Sequence, residues 1–143
     1  MATTHFSGPL SLGSDSVKVI TGTTTLTAKD DGKICFLDAA AGATVTLPAL
    51  SAGARLKFTV TSAFATSNWV IGSAEGDNIS GVIADMGTTV AAVLAGAEDQ
   101  INFVATAETI GDFIELVADT TNSQWIVNGV CGTNGGITAT DPS

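Results

Sequence analysis

Ile110-Gly111-Asp112-Phe113-Ile114-Glu115-Leu116-Val117-Ala118-Asp119 runs into Thr120-Thr121-Asn122-Ser123-Gln124 and then into Trp125-Ile126-Val127-Asn128-Gly129. Two apolar, β-branched segments either side of a polar turn read as a β-hairpin. Along its first strand Ile114 and Leu116 fall on one face, and Phe113, Glu115 and Val117 on the other. A strand that is apolar on both faces, with one acid embedded in the second, implies that both faces are covered. A lone two-layer β protein should leave one of them wet. Phe113, Glu115, Val117 and Trp125 are therefore the expected contact with a further copy or a partner.

The same alternation recurs outward from the hairpin. Leu56, Phe58 and Val60 alternate with Arg55, Lys57 and Thr59, and Ala43, Val45 and Leu47 with Thr44 and Thr46 up to Pro48. Shorter strand patterns are expected at 23–28, 33–37, 68–71, 77–84, 100–105 and 136–140, with Lys29-Asp30-Asp31-Gly32 as a turn. Residues 88–97 are read as a strand, although Val90, Val93 and Leu94 also match helical spacing. Strand centres roughly eight to twelve residues apart, with no convincing helix, predict an all-β fold. The expected form is an antiparallel β-sandwich, jelly-roll-like. No repeat of about 20–50 residues is visible, which disfavours a solenoid or propeller.

The 143 residues fit one domain, with 45% apolar and only 13% charged residues. Residues 1–15 read as an extended N-terminal arm, and 16–143 as the sandwich. No apolar run reaches membrane-spanning length, and no basic segment opens the chain as in a secretory leader. No membrane association is expected, and assembly is expected in a cytoplasm. There, Cys35 and Cys131 should be buried free thiols. All five cations (Lys18, Lys29, Lys33, Arg55, Lys57) lie in the first 57 residues, while the remainder carries ten acids and no cation. A net charge of −9 in this pattern argues against nucleic-acid binding, which needs Lys and Arg against phosphate.

Catalytic material is sparse. His5 is the only histidine, so a nucleophile elsewhere lacks its base, and His5, Cys35 and Cys131 are too scattered for a zinc site. Asp30-Asp31 and Glu98-Asp99 are adjacent pairs, which a strand would throw to opposite faces. Glu75-Gly76-Asp77-Asn78 offers oxygens to calcium without the spacing of a dedicated loop. No glycine cluster forms a phosphate cradle. No enzyme activity and no cofactor are expected. Trp69 or Trp125 as a sugar-stacking platform would instead make a carbohydrate- or receptor-binding fibre module.

Several blocks resemble the small structural proteins that tailed bacteriophages place on their heads. Thr4-His5-Phe6-Ser7-Gly8-Pro9-Leu10 is similar to that family's opening, and Gly111-Asp112-Phe113 through Trp125-Ile126-Val127-Asn128-Gly129 to its closing pattern. Between them, residues 25–33, 36–48 and 99–104 resemble further blocks in the same order. The resemblance implies a virion location on the capsid surface, non-enzymatic decoration or cementing of the head, the major capsid protein as partner, and a homotrimer. His5, Phe6, Pro9, Leu10 and Leu12 in the arm are the residues expected to carry attachment.

Overall fold

In a computed structural model, residues 16–51, 53–74, 78–87 and 91–142 are described, without the side chains of 91–95. The first stretch gives β1 (Val17–Ile20), β2 (Thr24–Thr25), a 3-10 turn at Ala28–Asp30, β3 (Ile34–Leu37) and β4 (Thr44–Thr46). Then follow β5 (Arg55–Val60), β6 (Trp69–Gly72), β7 (Ile79–Asp85) and β8 (Ala91–Glu98). Last come β9 (Gln100–Phe103), β10 (Phe113–Asp119), β11 (Gln124–Cys131) and β12 (Ile137–Thr140). The fold is all-β. Two sheets face one another, of seven strands in the order β1-β3-β5-β10-β11-β7-β8 and five in the order β12-β9-β6-β4-β2.

The expected strands are present, and the 88–97 segment, where described, is strand β8. Strand β1 had not been expected. The pairing is also mixed rather than antiparallel and jelly-roll-like. From β1 to β6 the chain crosses to the other sheet at every step, so β1, β3 and β5 lie parallel in one sheet and β2, β4 and β6 parallel in the other. This makes a three-turn coil of two strands per turn. The second part is built from the antiparallel hairpins β7–β8 and β10–β11 and the antiparallel pair β9–β12, with one parallel contact, β7–β11. Antiparallel seams β5–β10 and β6–β9 join the two parts in both layers.

One apolar cluster fills the space between the sheets. Strand β5 shows why: Leu56, Phe58 and Val60 are buried while Arg55, Lys57 and Thr59 point outward, the period-two pattern of a pleated strand. Trp69, Trp125, Phe58, Phe64 and Phe103 are its largest members, each fully buried. Cys35 and Cys131 are free thiols in the same core, and burial pushes Cys35 up to about 11. Gly81 makes the β7–β11 contact possible. Its φ of +151° and the position of the Val127 carbonyl, which a Cβ would overlap, leave room for glycine alone.

Aspartate carboxylates fasten the turns. Asp30 Oδ2 accepts the Thr27 N–H (3.0 Å), while Oδ1 takes Lys18 Nζ (3.0 Å) and Lys33 Nζ (3.2 Å), tying the first turn of the coil to the second. Burial disfavours the Asp30 carboxylate, but the Thr27 amide and the two ammonium groups more than offset this and hold its pKa below the usual aspartate value. Beside it, Asp31 Oδ1 accepts the Arg55 N–H (2.8 Å) and the Gly32 N–H donates to the Arg55 carbonyl (2.7 Å).

Candidate functional site

The two sheets present unlike outer faces. On the five-stranded sheet, Thr44, Val70, Asn102 and Thr138 form one row across neighbouring strands, and Thr46, Gly72, Gln100 and Thr140 another. Its amides and hydroxyls satisfy one another: Gln100 Nε2 donates to Asn102 Oδ1 (3.1 Å) and Asn102 Nδ2 to Thr140 Oγ1 (2.9 Å). This face is polar, with Asn102 itself buried.

The outer face of the seven-stranded sheet is different. One row runs Val17, Ile34, Lys57, Glu115, Asn128, Val82, and the next Val19, Phe36, Thr59, Phe113, Val130, Ala84. Seven large hydrophobic side chains are exposed among the described residues, and five of them stand on this face: Val19, Ile34, Val82, Val117 and Val130, each 36–56% exposed. Scattered single apolar residues are normal on a surface; here Lys57, Glu115 and Asn128 run between Ile34 and Val82, and five of the seven on one sheet make it the more apolar outer face.

The sequence-predicted residues divide three ways. Phe113, Glu115 and Val117 lie together on this face, as the alternation along β10 required. Trp125 does not: its indole points inward and is fully buried, because it occupies the opposite parity on β11. His5, Phe6, Pro9, Leu10 and Leu12 lie outside the described residues. Sequence reading missed Val17, Val19, Ile34, Val82 and Val130 as members of the same face. The signal was present, since β1, β3 and β11 are also apolar at both parities, but which strands adjoin β10 was not visible.

Polar groups, Arg55, Lys57, Thr59, Glu115 and Asn128, cross the middle of the face. Lys57 Nζ stands 3.5 Å from Glu115 Oε1 and 4.4 Å from the centre of the Phe113 ring, so one ammonium meets both an acid and an aromatic face. Next to this pair, Lys33, Ile34, Arg55 and Val117 line a shallow depression of about 260 Å³. At the end of β10, Asp119 accepts from Asn122 and Gln124 side chains and from the Thr121 and Asn122 amides, which lowers its pKa and shapes the hairpin turn.

Trp69 and Trp125 are both fully buried, so neither offers a ring for a sugar to stack on. No group of three or more metal-ligating side chains occurs among the described residues. Of the stretch considered for calcium, residues 75–77 lie outside the described residues. No family model, curated protein or solved structure matches the chain.

Proposed function

We propose that this chain is a bacteriophage capsid decoration protein, binding the outside of the assembled head as a homotrimer and holding its subunits together without enzymatic action. The observation that carries this reading is the shared order of the sequence blocks at 4–10, 25–48, 99–104 and 110–129. Two of these blocks contain residues with structural work to do. Thr27, Asp30 and Lys33 belong to the fastening of the coil, and 110–129 spans most of the β10–β11 hairpin. Five exposed Val and Ile side chains on one sheet face support a binding role over a catalytic one.

A ligand that binds only the assembled shell stabilises it by mass action, by about 2.7 kcal/mol at a hundredfold excess over Kd. Linked copies add to this through effective concentration. Attachment is assigned to the arm, through His5, Phe6, Pro9, Leu10 and Leu12. The test is to mix purified chain with undecorated heads and image them by electron cryomicroscopy. Added density on the outer head surface is expected, and a chain lacking residues 1–12 should remain folded but leave the heads bare. Heads that stay bare with the full chain would overturn the function; full occupancy by the truncated chain would overturn the role of the arm.

A further inference from the structure

We infer that the depression beside the β5–β10 seam is a binding site for a carboxylate, with the Arg55 guanidinium as its anchor. The coil gathers what the sequence spreads out. Strands β1, β3 and β5 run parallel and begin at the same end of the sheet. Lys18, Arg55 and Lys57 stand near those beginnings, and Lys29 and Lys33 lie in and just after the turn that leads into β3. Every cation of a chain with net charge −9 is therefore brought to one end of one sheet, and the depression lies there.

The acids at that end are engaged. Asp30 takes Lys18, Lys33 and the Thr27 N–H, and Asp31 accepts the Arg55 N–H. Asp119, beyond the seam, accepts four donors of its own hairpin turn. Glu115 faces Lys57 at 3.5 Å. The exposed Arg55 guanidinium has no carboxylate within ion-pair distance among the described residues.

The surroundings of that cation define the ligand. A guanidinium offers a planar fork of N–H groups that matches the two oxygens of a carboxylate. Lys33 and Lys57 line the same depression; each already meets an acid, so they add positive potential and leave Arg55 as the anchor. Exposed Ile34 and Val117 give an apolar wall for a short aliphatic stem. Glu115 also lines the depression, and its charge repels a dianion such as phosphate more than a monoanion. The volume of about 260 Å³ lies below the ~300–1,000 Å³ of sites for drug-sized ligands. The occupant is accordingly a short aliphatic acid, or the carboxylate of an acidic peptide. The inference stands apart from the capsid reading, since its test needs no virion component.

Titration of the isotope-labelled full chain with butyrate at constant ionic strength, followed by amide NMR shifts, tests it. Saturable shifts are expected at Gly32, Ile34 and Val117, with a Kd in the millimolar range because the ion pair stays open to water. Arg55→Ala should weaken binding about tenfold or more, and Arg55→Lys, which keeps the charge without the fork, several-fold. Lys29→Ala, outside the depression, should leave binding unchanged. Circular dichroism checks each fold; should Arg55→Ala unfold, Arg55→Lys carries the comparison. Butyramide, uncharged and of the same shape, should not saturate. A tripeptide with a central glutamate and blocked ends separates the two sources: it binds at least as tightly as butyrate if the carboxylate arrives on a peptide, and more weakly if a free acid is the ligand. The inference is overturned if neither butyrate nor the tripeptide gives saturable shifts at these amides, or if both Arg55 variants bind as well as the native chain. Butyramide binding as well as butyrate, or inorganic phosphate binding more tightly, overturns it too.

Discussion

The coil of β1–β6 and the hairpin-rich part from β7 to β12 share one core but fasten it by different chemistry. In the coil, the buried carboxylate of Asp30 is met by two lysines, Lys18 and Lys33. The second part has no cation to use. There, Asp112 accepts the Thr109 and Gly132 N–H groups (both 2.8 Å), and Asp85 those of Gly87 and Gly135 (3.0 and 2.9 Å). Backbone amides at turns do what ammonium groups do in the coil. The charge asymmetry of the sequence therefore has a structural counterpart: the cation-free part replaces ion pairs with turn hydrogen bonds, which need no compensating charge. Glu108 likewise accepts a loop amide, that of Phe64 (3.1 Å), and Asp119 those of Thr121 and Asn122.

The largest effects should test whether the two parts are one folding unit. Trp69 belongs to the coil and Trp125 to the hairpins, and both are fully buried in the common cluster. Trp69→Ala and Trp125→Ala are each expected to cost about 3–5 kcal/mol. Each should lower a single cooperative transition, followed by circular dichroism in urea and by hydrogen exchange. If Trp69→Ala instead unfolds β1–β6 while β10–β11 keeps its protection, the parts are separate units and the shared core is not cooperative.

A smaller effect should separate the two ways of satisfying a buried acid. Asp30→Ala removes an acceptor of one amide and two ammonium groups, at about 2 kcal/mol. Because the folded pKa of Asp30 is depressed, its contribution is present above the usual ~3.9 of aspartate and lost as pH falls through the lower folded value. The urea midpoint of the native chain should therefore drop on that acid limb, and Asp30→Asn should flatten it. An unchanged limb in Asp30→Asn would place the acid sensitivity in another carboxylate.

Legibility differed between the parts for the same reason that their fastening differs. The β10–β11 hairpin is local: alternation and a polar turn announce both strands and their pairing, so Phe113, Glu115 and Val117 could be assigned one face. The coil is not local. Paired residues lie at unequal separations, as Val17 with Ile34, Ile34 with Lys57, and Thr44 with Val70 show, so no period marks the turns and parallel pairing stayed hidden. Strand β1 was missed next to the arm, although Val17-Lys18-Val19-Ile20 is rich in β-branched residues. Trp125 was misplaced because periodicity tells which residues share a face without saying which face is inside. The outer face assembled from β1, β3, β10, β11 and β7 depends on sheet order, which no local pattern encodes.

The smallest effect lies at the seam itself. Lys57 on the last coil strand of the larger sheet meets Glu115 on the first hairpin strand beside it, directly cross-strand at 3.5 Å. Both side chains are substantially exposed, so water and salt screen the pair, and an exposed ion pair contributes about 0–1 kcal/mol. The Phe113 ring beneath Lys57 adds about 0.5 kcal/mol of cation–π attraction at such a site. A double-mutant cycle of Lys57→Ala and Glu115→Ala, at concentrations below self-association, should therefore give a coupling of about 0.5 kcal/mol that shrinks as salt rises. Repeating it with Phe113→Leu isolates the ring: the Lys57→Ala cost should fall while the Lys57–Glu115 coupling persists. A coupling well above 1 kcal/mol would mean the pair is shielded from water at the seam, and the two parts would then be joined by buried charge as well as by the core.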